Sequence, residues 1–294
     1  MNLFLQLLAN GLVNGALFAL LAVAFGLVYR SARVFHVAFG GLYVVSAYLL
    51  YAAVTWGHLP VWIGAVLAIF ASAALGVGTE AGFYRLFESR RSGPGVVLVA
   101  SLGLFIVLEN LVAMVFGNEV RTIPRGIAQS VSLGGIRLTS VQILQFSVGI
   151  AVLIGLAVAI RRVRALKAIW AMGDEPELLA ILGNPLRRYR MIVFGLATAL
   201  AAVPACLIGL DTGMNPHMGM HYLLIAAVGM LAGGTDRFMG WVAGGFLLAV
   251  LHSLMVWKLS AQWMDLATFG TLVLILLFRP QGILGVQKRL EENS

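Results

Sequence analysis

Charge is what this sequence has least of: only 11% of its 294 residues are Asp, Glu, Lys or Arg, against 61% hydrophobic, with a mean hydropathy of +0.96. A soluble domain of this length needs a charged surface, so the composition excludes one and places the chain among polytopic membrane proteins. Cysteine is nearly absent. The single Cys206 lies inside an apolar run, which excludes an intrachain disulfide and marks it as a small packing residue. None of Lys167, Lys258 and Lys288 follows a glycine, so the Gly-Lys-Ser/Thr loop that cradles phosphate is missing. Gly-x-Ser-x-Gly is missing too, which leaves no nucleophile elbow for an intramembrane hydrolase. Around His252 and Asn14 no second ligand recurs at metal-binding spacing, so neither a metal nor a cofactor is expected in this chain. Positive charge is in excess, with a net charge of +8 and a pI near 10.1. It sits in short loops, where it reports membrane orientation rather than a nucleic-acid-binding face. Met1 to Tyr29 carries no charge, lacks the basic start of a cleaved leader and exceeds a leader's apolar core, so it reads as the first membrane helix.

About 20 apolar residues cross a hydrocarbon core of roughly 30 Å. The runs that qualify are Leu3 to Tyr29, Val37 to Thr55, Val61 to Tyr84, Val96 to Phe116, Thr139 to Ile160, Met191 to Leu210, Tyr222 to Trp257 and Leu259 to Phe278. The seventh is too long for one pass and carries Gly233-Gly234-Thr235-Asp236-Arg237 inside it. It predicts a short arm over Tyr222 to Ala232, a polar turn and a full helix from Phe238. The fold class is therefore all-α: a polytopic membrane protein with about 8 transmembrane segments, one of them broken or folded as a hairpin near 222–257, and residues 1–294 forming a single domain. Placing the 161–190 loop inside leaves sixteen of the twenty Lys and Arg on the cytoplasmic side and only Arg121, Arg125, Arg137 and Lys258 outside. The N-terminus is then external, and the 279–294 tail is cytoplasmic. The long outer loop, Gly117 to Leu138, alternates apolar and polar residues and predicts a small hairpin or a solvated connector.

Polar groups within these segments mark sites that need a partner or water. Glu109, near the middle of its helix, costs about 2.5 to 3.5 kcal/mol if exposed to lipid, and either an interhelical hydrogen bond or a place on a wet path satisfies it. Glu80 and Asp265 lie nearer helix ends and read as interfacial. His252 and Asn14 read as satisfied helix contacts. Of the 34 glycines, most serve close helix packing, while Gly40-Gly41 and Gly233-Gly234 are the best candidates for unwound backbone beside a path.

The longest charged island is Arg164 to Arg190. Asp174 is placed to cap a short helix, Glu177 three residues on completes a capping box, and Pro176 in the first turn lacks a donor that has no partner there anyway. Gly183 ends it and Asn184-Pro185 cannot continue it, so about eight residues, roughly 12 Å, are expected, far too short to span. Leu178, Leu179 and Leu182 give it an apolar face between arginines. An interfacial connector and a docking handle both fit that description.

Here Glu177-Leu178-Leu179 followed by Gly183 resembles the E-A-A-x-x-x-G loop of ABC importer permeases, with two alanines replaced by leucine. Gly15-Ala16-Leu17-Phe18-Ala19-Leu20 and His36-Val37-Ala38-Phe39-Gly40 resemble the first-helix motif and the N-F-A-H-G-like segment of the branched-chain amino-acid type, with His36 and Phe39 standing where that family has Asn and His. Leu231-Ala232-Gly233-Gly234 with Gly240-Trp241-Val242-Ala243-Gly244-Gly245 resembles its late glycine run, and Arg279-Pro280-Gln281-Gly282-Ile283-Leu284-Gly285 its R-P-x-G-L-x-G closure. The resemblance implies a permease subunit of a bacterial inner-membrane importer that works with a homologous permease, two ATPase subunits that use the ATP, and an external substrate-binding protein. It further implies that Asp174, Glu177, Leu178, Leu179, Leu182 and Gly183 form a coupling helix seated in an ATPase. Asn14, His36, Phe39, Gly40, Glu109, Gly233 and Gly234 are the candidate translocation path. Branched-chain amino acids are the expected substrates. Urea or short amides are the alternative within the same motifs, and a secondary carrier or channel is the rival class.

Overall fold

The computed structural model describes residues 2–124, 130–133, 136–258, 263–279 and 281–285. Arg125, Pro280, Lys288 and Arg289, which entered the charge count and the closing motif, lie outside the described residues. Helix α1 (Asn2–Ala32) is followed by α2 (Ala38–Thr55), α3 (Val61–Gly78), a π-turn (Thr79–Tyr84), α4 (Arg85–Ser89) and α5 (Pro94–Phe116). Two antiparallel strands, β1 (Ser130–Leu133) and β2 (Ile136–Thr139), pair in the second half of the expected outer loop. Then come α6 (Ser140–Arg162), α7 (Arg164–Met172), α8 (Pro176–Ile181), α9 (Leu186–Thr212), α10 (Gly219–Gly233), α11 (Phe238–Lys258) and α12 (Met264–Phe278). Among the described residues, 7 helical spans are long and apolar enough to cross a bilayer.

The core is built around α1, which packs against α6, α9, α10 and α11. In its most apolar stretch 89% of residues are buried, against 22% in α3, α5 and α6, so those three face lipid or a partner. Glycine sets how closely the neighbours approach. A Cβ on Gly26 would stand 2.6 Å from the Trp241 ring, and one on Gly245 would meet the Ala19 backbone. Between α10 and α11 the backbones themselves touch: a Cβ on Gly233 would collide with the Gly240 carbonyl, and one on Gly244 with the Gly229 carbonyl.

The broken segment has the expected form. At 15 residues, α10 is about 22 Å long at 1.5 Å per residue, too short for the whole core. Before it, Met214 and Arg121 exchange both backbone hydrogen bonds at 2.8 Å, and Asn215 accepts from the His217 amide to open a 3-10 turn, Pro216–Met218. After it, Gly234 at φ +105 turns the chain into α11. The closing motif docks here: Ile283 donates to the Ala232 carbonyl at 2.8 Å and Leu284 to the Gly233 carbonyl at 3.2 Å, filling acceptors that a helix end leaves free.

One expected boundary is corrected. The third span runs on to Ser89 rather than ending at Tyr84, because the π-turn carries Glu80 and Tyr84 inward together. Glu80, near the end of this span, is buried by its neighbours rather than open to solvent: its side chain is 4% exposed and pairs with Arg190 Nε at 2.8 Å.

Candidate functional site

The 161–190 segment forms a layer on the end of the molecule that also carries the end of α1 and the α10–α11 turn. Val163, at φ -86 and ψ 121, interrupts the helix after Arg162, and α7 follows with Ile169 and Met172 buried. The expected capping box does not form. Glu175 is the residue before the first turn of α8 and makes no capping bond, while the Asp174 carboxylate is drawn off to Arg30 Nη2 at 2.7 Å. Pro176 occupies the first turn as expected. The helix has six residues rather than eight, because Leu182 already leaves helical geometry at ψ 7. Gly183 at φ +77 then closes it: Gly183 donates to the Ala180 carbonyl at 2.9 Å and Asn184 to that of Leu179 at 3.2 Å. This paired closure through a left-handed residue is one glycine adopts at little cost.

Leu179 is buried and anchors α8. Leu178, Ile181 and Leu182 project outward, with exposures of 56%, 81% and 67%. Glu177 is exposed beside them, and Arg187 and Arg188 are exposed at the start of α9. Ile181 was not singled out from the sequence, although it stands one turn from Leu178 on the same face.

Arg30, near the end of α1, binds this layer to the rest. Its side chain is 3% exposed; Nη2 meets Asp174, Nη1 donates to the Asp236 carbonyl at 2.7 Å and lies 3.6 Å from that residue's carboxylate. The guanidinium lies 4.2 Å from the Trp170 ring centre, and Trp170 packs on the buried Trp241 of α11. Arg33 adds a hydrogen bond to the Gly173 carbonyl at 2.9 Å. No pattern in the sequence links positions 30, 174 and 236.

The candidate path residues fall into four places. Asn14 lines a cavity of about 360 Å³ with Phe18, Gln145, Asp211, His221 and His252, a volume within the range of small-ligand sites. His252 bonds Thr268 at 2.7 Å, the helix contact expected of it. His36 and Phe39 are buried at the start of α2. His36 Nδ1 meets the Tyr84 hydroxyl, which meets Ser101 Oγ at 2.6 Å, and Ser101 accepts from the Ala38 amide at 2.9 Å. Burial pushes the His36 imidazole down to about 3, so it is neutral. Gly40 and Glu109 come together beside the start of α10: a Cβ on Gly40 would stand 2.7 Å from the Gly219 carbonyl, and Glu109 pairs with His217. Gly233 and Gly234 lie at the other end of α10. Asp265 pairs with His221 at 2.9 Å. The sequence offered Glu109 and Asp265 but not their histidines, which lie in the segment before and within α10.

Comparison with known proteins accords with this architecture. The family described as "Branched-chain amino acid transport system / permease component" matches residues 7–277. The high-affinity branched-chain amino acid transport system permease protein BraD of Pseudomonas aeruginosa is 31% identical over 296 residues, covering 96% of each chain. Its counterpart LivH of Escherichia coli K12 is 28% identical over 299 residues, again covering 96% of each. The solved structure of PsaBC from Streptococcus pneumoniae in complex with Fab shares the fold, with a TM-score of 0.53 at 13% identity over 95% of this chain and 92% of that one. With a match across nearly all its membrane segments and a relative above 30% identity along almost its whole length, the chain belongs to the family of branched-chain amino acid transport permease components.

Proposed function

We infer that this chain is the membrane-spanning permease subunit of a bacterial ABC importer for leucine, isoleucine and valine, working without hydrolysing ATP itself. It lies in the cytoplasmic membrane with the N-terminus outside and the tail inside, assembles with a homologous permease and two ATPase subunits, engages an ATPase through α8, and receives substrate from an external binding protein. The observation that carries the reading is the exposed face of Leu178, Ile181 and Leu182 on a short helix set among arginines. Water penalises such a face, and an ATPase groove relieves it. The positive-residue asymmetry supports the orientation. The names of the relatives support the substrate.

The path in this reading passes the start of α10, where the chain enters a broken helix beside Glu109, His217, His221 and Asp265. Ionisable groups at membrane depth favour a wet route over lipid. A zwitterion with an apolar side chain suits paired imidazole and carboxylate groups followed by aliphatic walls, since no unpaired charge has to be left behind. Uptake of radiolabelled leucine by vesicles carrying the complete transporter tests the assignment. Competition by isoleucine and valine but not urea, and dependence on the co-expressed ATPases, are expected. Uptake without the ATPases would refute the coupling role, and competition by urea without effect of valine would refute the substrate class.

A further inference from the structure

Two carboxylates from separate segments share one buried guanidinium at the end of α1. Asp174 belongs to the turn that leads directly into α8, and Asp236 to the turn joining α10 to α11. Arg30 reaches the two turns with a single planar fork: Nη2 bonds the Asp174 carboxylate at 2.7 Å, and Nη1 bonds the Asp236 backbone carbonyl at 2.7 Å with that residue's carboxylate 3.6 Å away. The enclosure is tight: a Cβ on Gly173 would stand 2.5 Å from Arg30 Cγ, and the Trp170 ring covers the guanidinium. A buried arginine has to keep a counter-charge, because an unpaired charge out of water is strongly disfavoured. Displacement of the Asp174 turn therefore either drags Arg30 with it or throws the whole counter-charge onto Asp236. In both cases the α10–α11 turn feels the movement.

We propose that Arg30 is the positioning residue that transmits displacement of α8 to the broken helix α10, by holding the Asp174 and Asp236 turns to one guanidinium. The proposal rests on the reading of α8 as the ATPase-docking element. Three features make the transmission direct. The Asp174 turn is also bonded to α1 through Arg33 and the Gly173 carbonyl, so α7–α8 moves with the end of α1. The α10–α11 turn is joined to residues 281–285 by two backbone hydrogen bonds, so it moves as a unit. The backbone contacts of Gly233 with Gly240 and of Gly229 with Gly244 carry that movement along α10 toward its start, where His217 and Glu109 pair. Lysine cannot substitute, because an ammonium is a point charge without the fork that meets two partners at fixed angles.

The test measures leucine taken up per ATP hydrolysed by the complete transporter in proteoliposomes, for Arg30→Lys, Asp174→Asn, Asp236→Asn and the double aspartate variant. Co-purification of the ATPases is scored in parallel. Each single aspartate variant retains one counter-charge and lowers the ratio, and the double variant lowers it by more than the product of the two, at least about fivefold, with the ATPases still bound. Arg30→Lys behaves like the double variant. If the double variant fails to insert, Asp174→Asn decides: its side chain is 48% exposed, and its loss removes the charged hydrogen bond to Arg30 Nη2 while the Asp236 carbonyl still receives Nη1. A ratio equal to wild type in that variant overturns the proposal, as does a parallel fall of uptake and hydrolysis in every variant. Wild-type uptake that needs no ATPase would instead refute the reading on which it rests.

Discussion

Replacing Gly183 separates the shape of α8 from the stability of the membrane core. The residue sits at φ +77, and a Cβ built on it meets nothing within 4 Å. Any side chain therefore fits in space, and the only cost is conformational. A residue other than glycine pays about 1–2 kcal/mol to hold the left-handed region, a β-branched residue lies at the top of that range, and asparagine lies below it because it visits that region routinely. Because α8 is peripheral, the cost falls on the closed helix end and not on global folding. If the ATPase binds only the closed form, 1–2 kcal/mol becomes a loss of roughly 5- to 30-fold in affinity at about 1.4 kcal/mol per decade. Titration of purified ATPase onto the permease in nanodiscs, with thermal unfolding as a control, is expected to give wild type tightest, then Gly183→Asn, Gly183→Ala and Gly183→Val, at unchanged unfolding temperature. Equal affinity for all four, or a fall in unfolding temperature that tracks the affinity, would refute the reasoning.

Gly233→Ala is expected to do the opposite: the added methyl runs into the Gly240 carbonyl, so α10 and α11 must part at a cost of about 1–3 kcal/mol, read as a lower unfolding temperature and yield. Acid should weaken the protein through His36. Its imidazole is neutral in the fold, with its protonation pushed down to about 3. The unfolded side chain takes a proton near pH 6.5, so this contribution is intact above that pH and is lost as pH falls toward 3, by about 2 kcal/mol at pH 5. The fall in stability from pH 7 to pH 5 should shrink by that amount in His36→Gln; an unchanged slope would count against a neutral buried imidazole. In a Cys206→Ala background, a cysteine at Ser130 should react with an impermeant thiol reagent from outside and one at Ser92 should not, and the reverse pattern would invert the orientation.

Element boundaries were legible where one local rule decides them. Run length and the Gly233-Gly234 pair gave the break before α11, and Gly183 gave the end of α8 to within two residues. What stayed hidden depends on partners remote in sequence. Asp174 looked like a helix cap because a capping box is local, yet Arg30, on another helix, holds its carboxylate instead. Glu80 looked interfacial because it lies near the end of an apolar run, and nothing local showed that a π-turn and Arg190 make a buried pair of it. Glu109 stood out by its cost in lipid and Asp265 by its charge near a helix end, whereas His217 and His221 lay in a segment whose depth the sequence does not reveal. The glycines of the closing motif matched a pattern long before their work was visible: Gly282, at φ +80, packs on the Gly234 backbone.

That last contact bears on how the protein is made. The carbonyls of Ala232 and Gly233 receive their donors from Ile283 and Leu284, which leave the ribosome only after α11 and α12. Until then two carbonyls at the end of α10 lack these donors, and each acceptor that the packed turn shuts off from water unmet costs about 1–3 kcal/mol. A nascent chain stalled after α12 holds every long helix yet carries an unfinished half-helix at its centre. The end of α10 thus closes only once residues 283 and 284 have been made, and a chain cut after α12 is expected to unfold at a lower temperature than one that carries them.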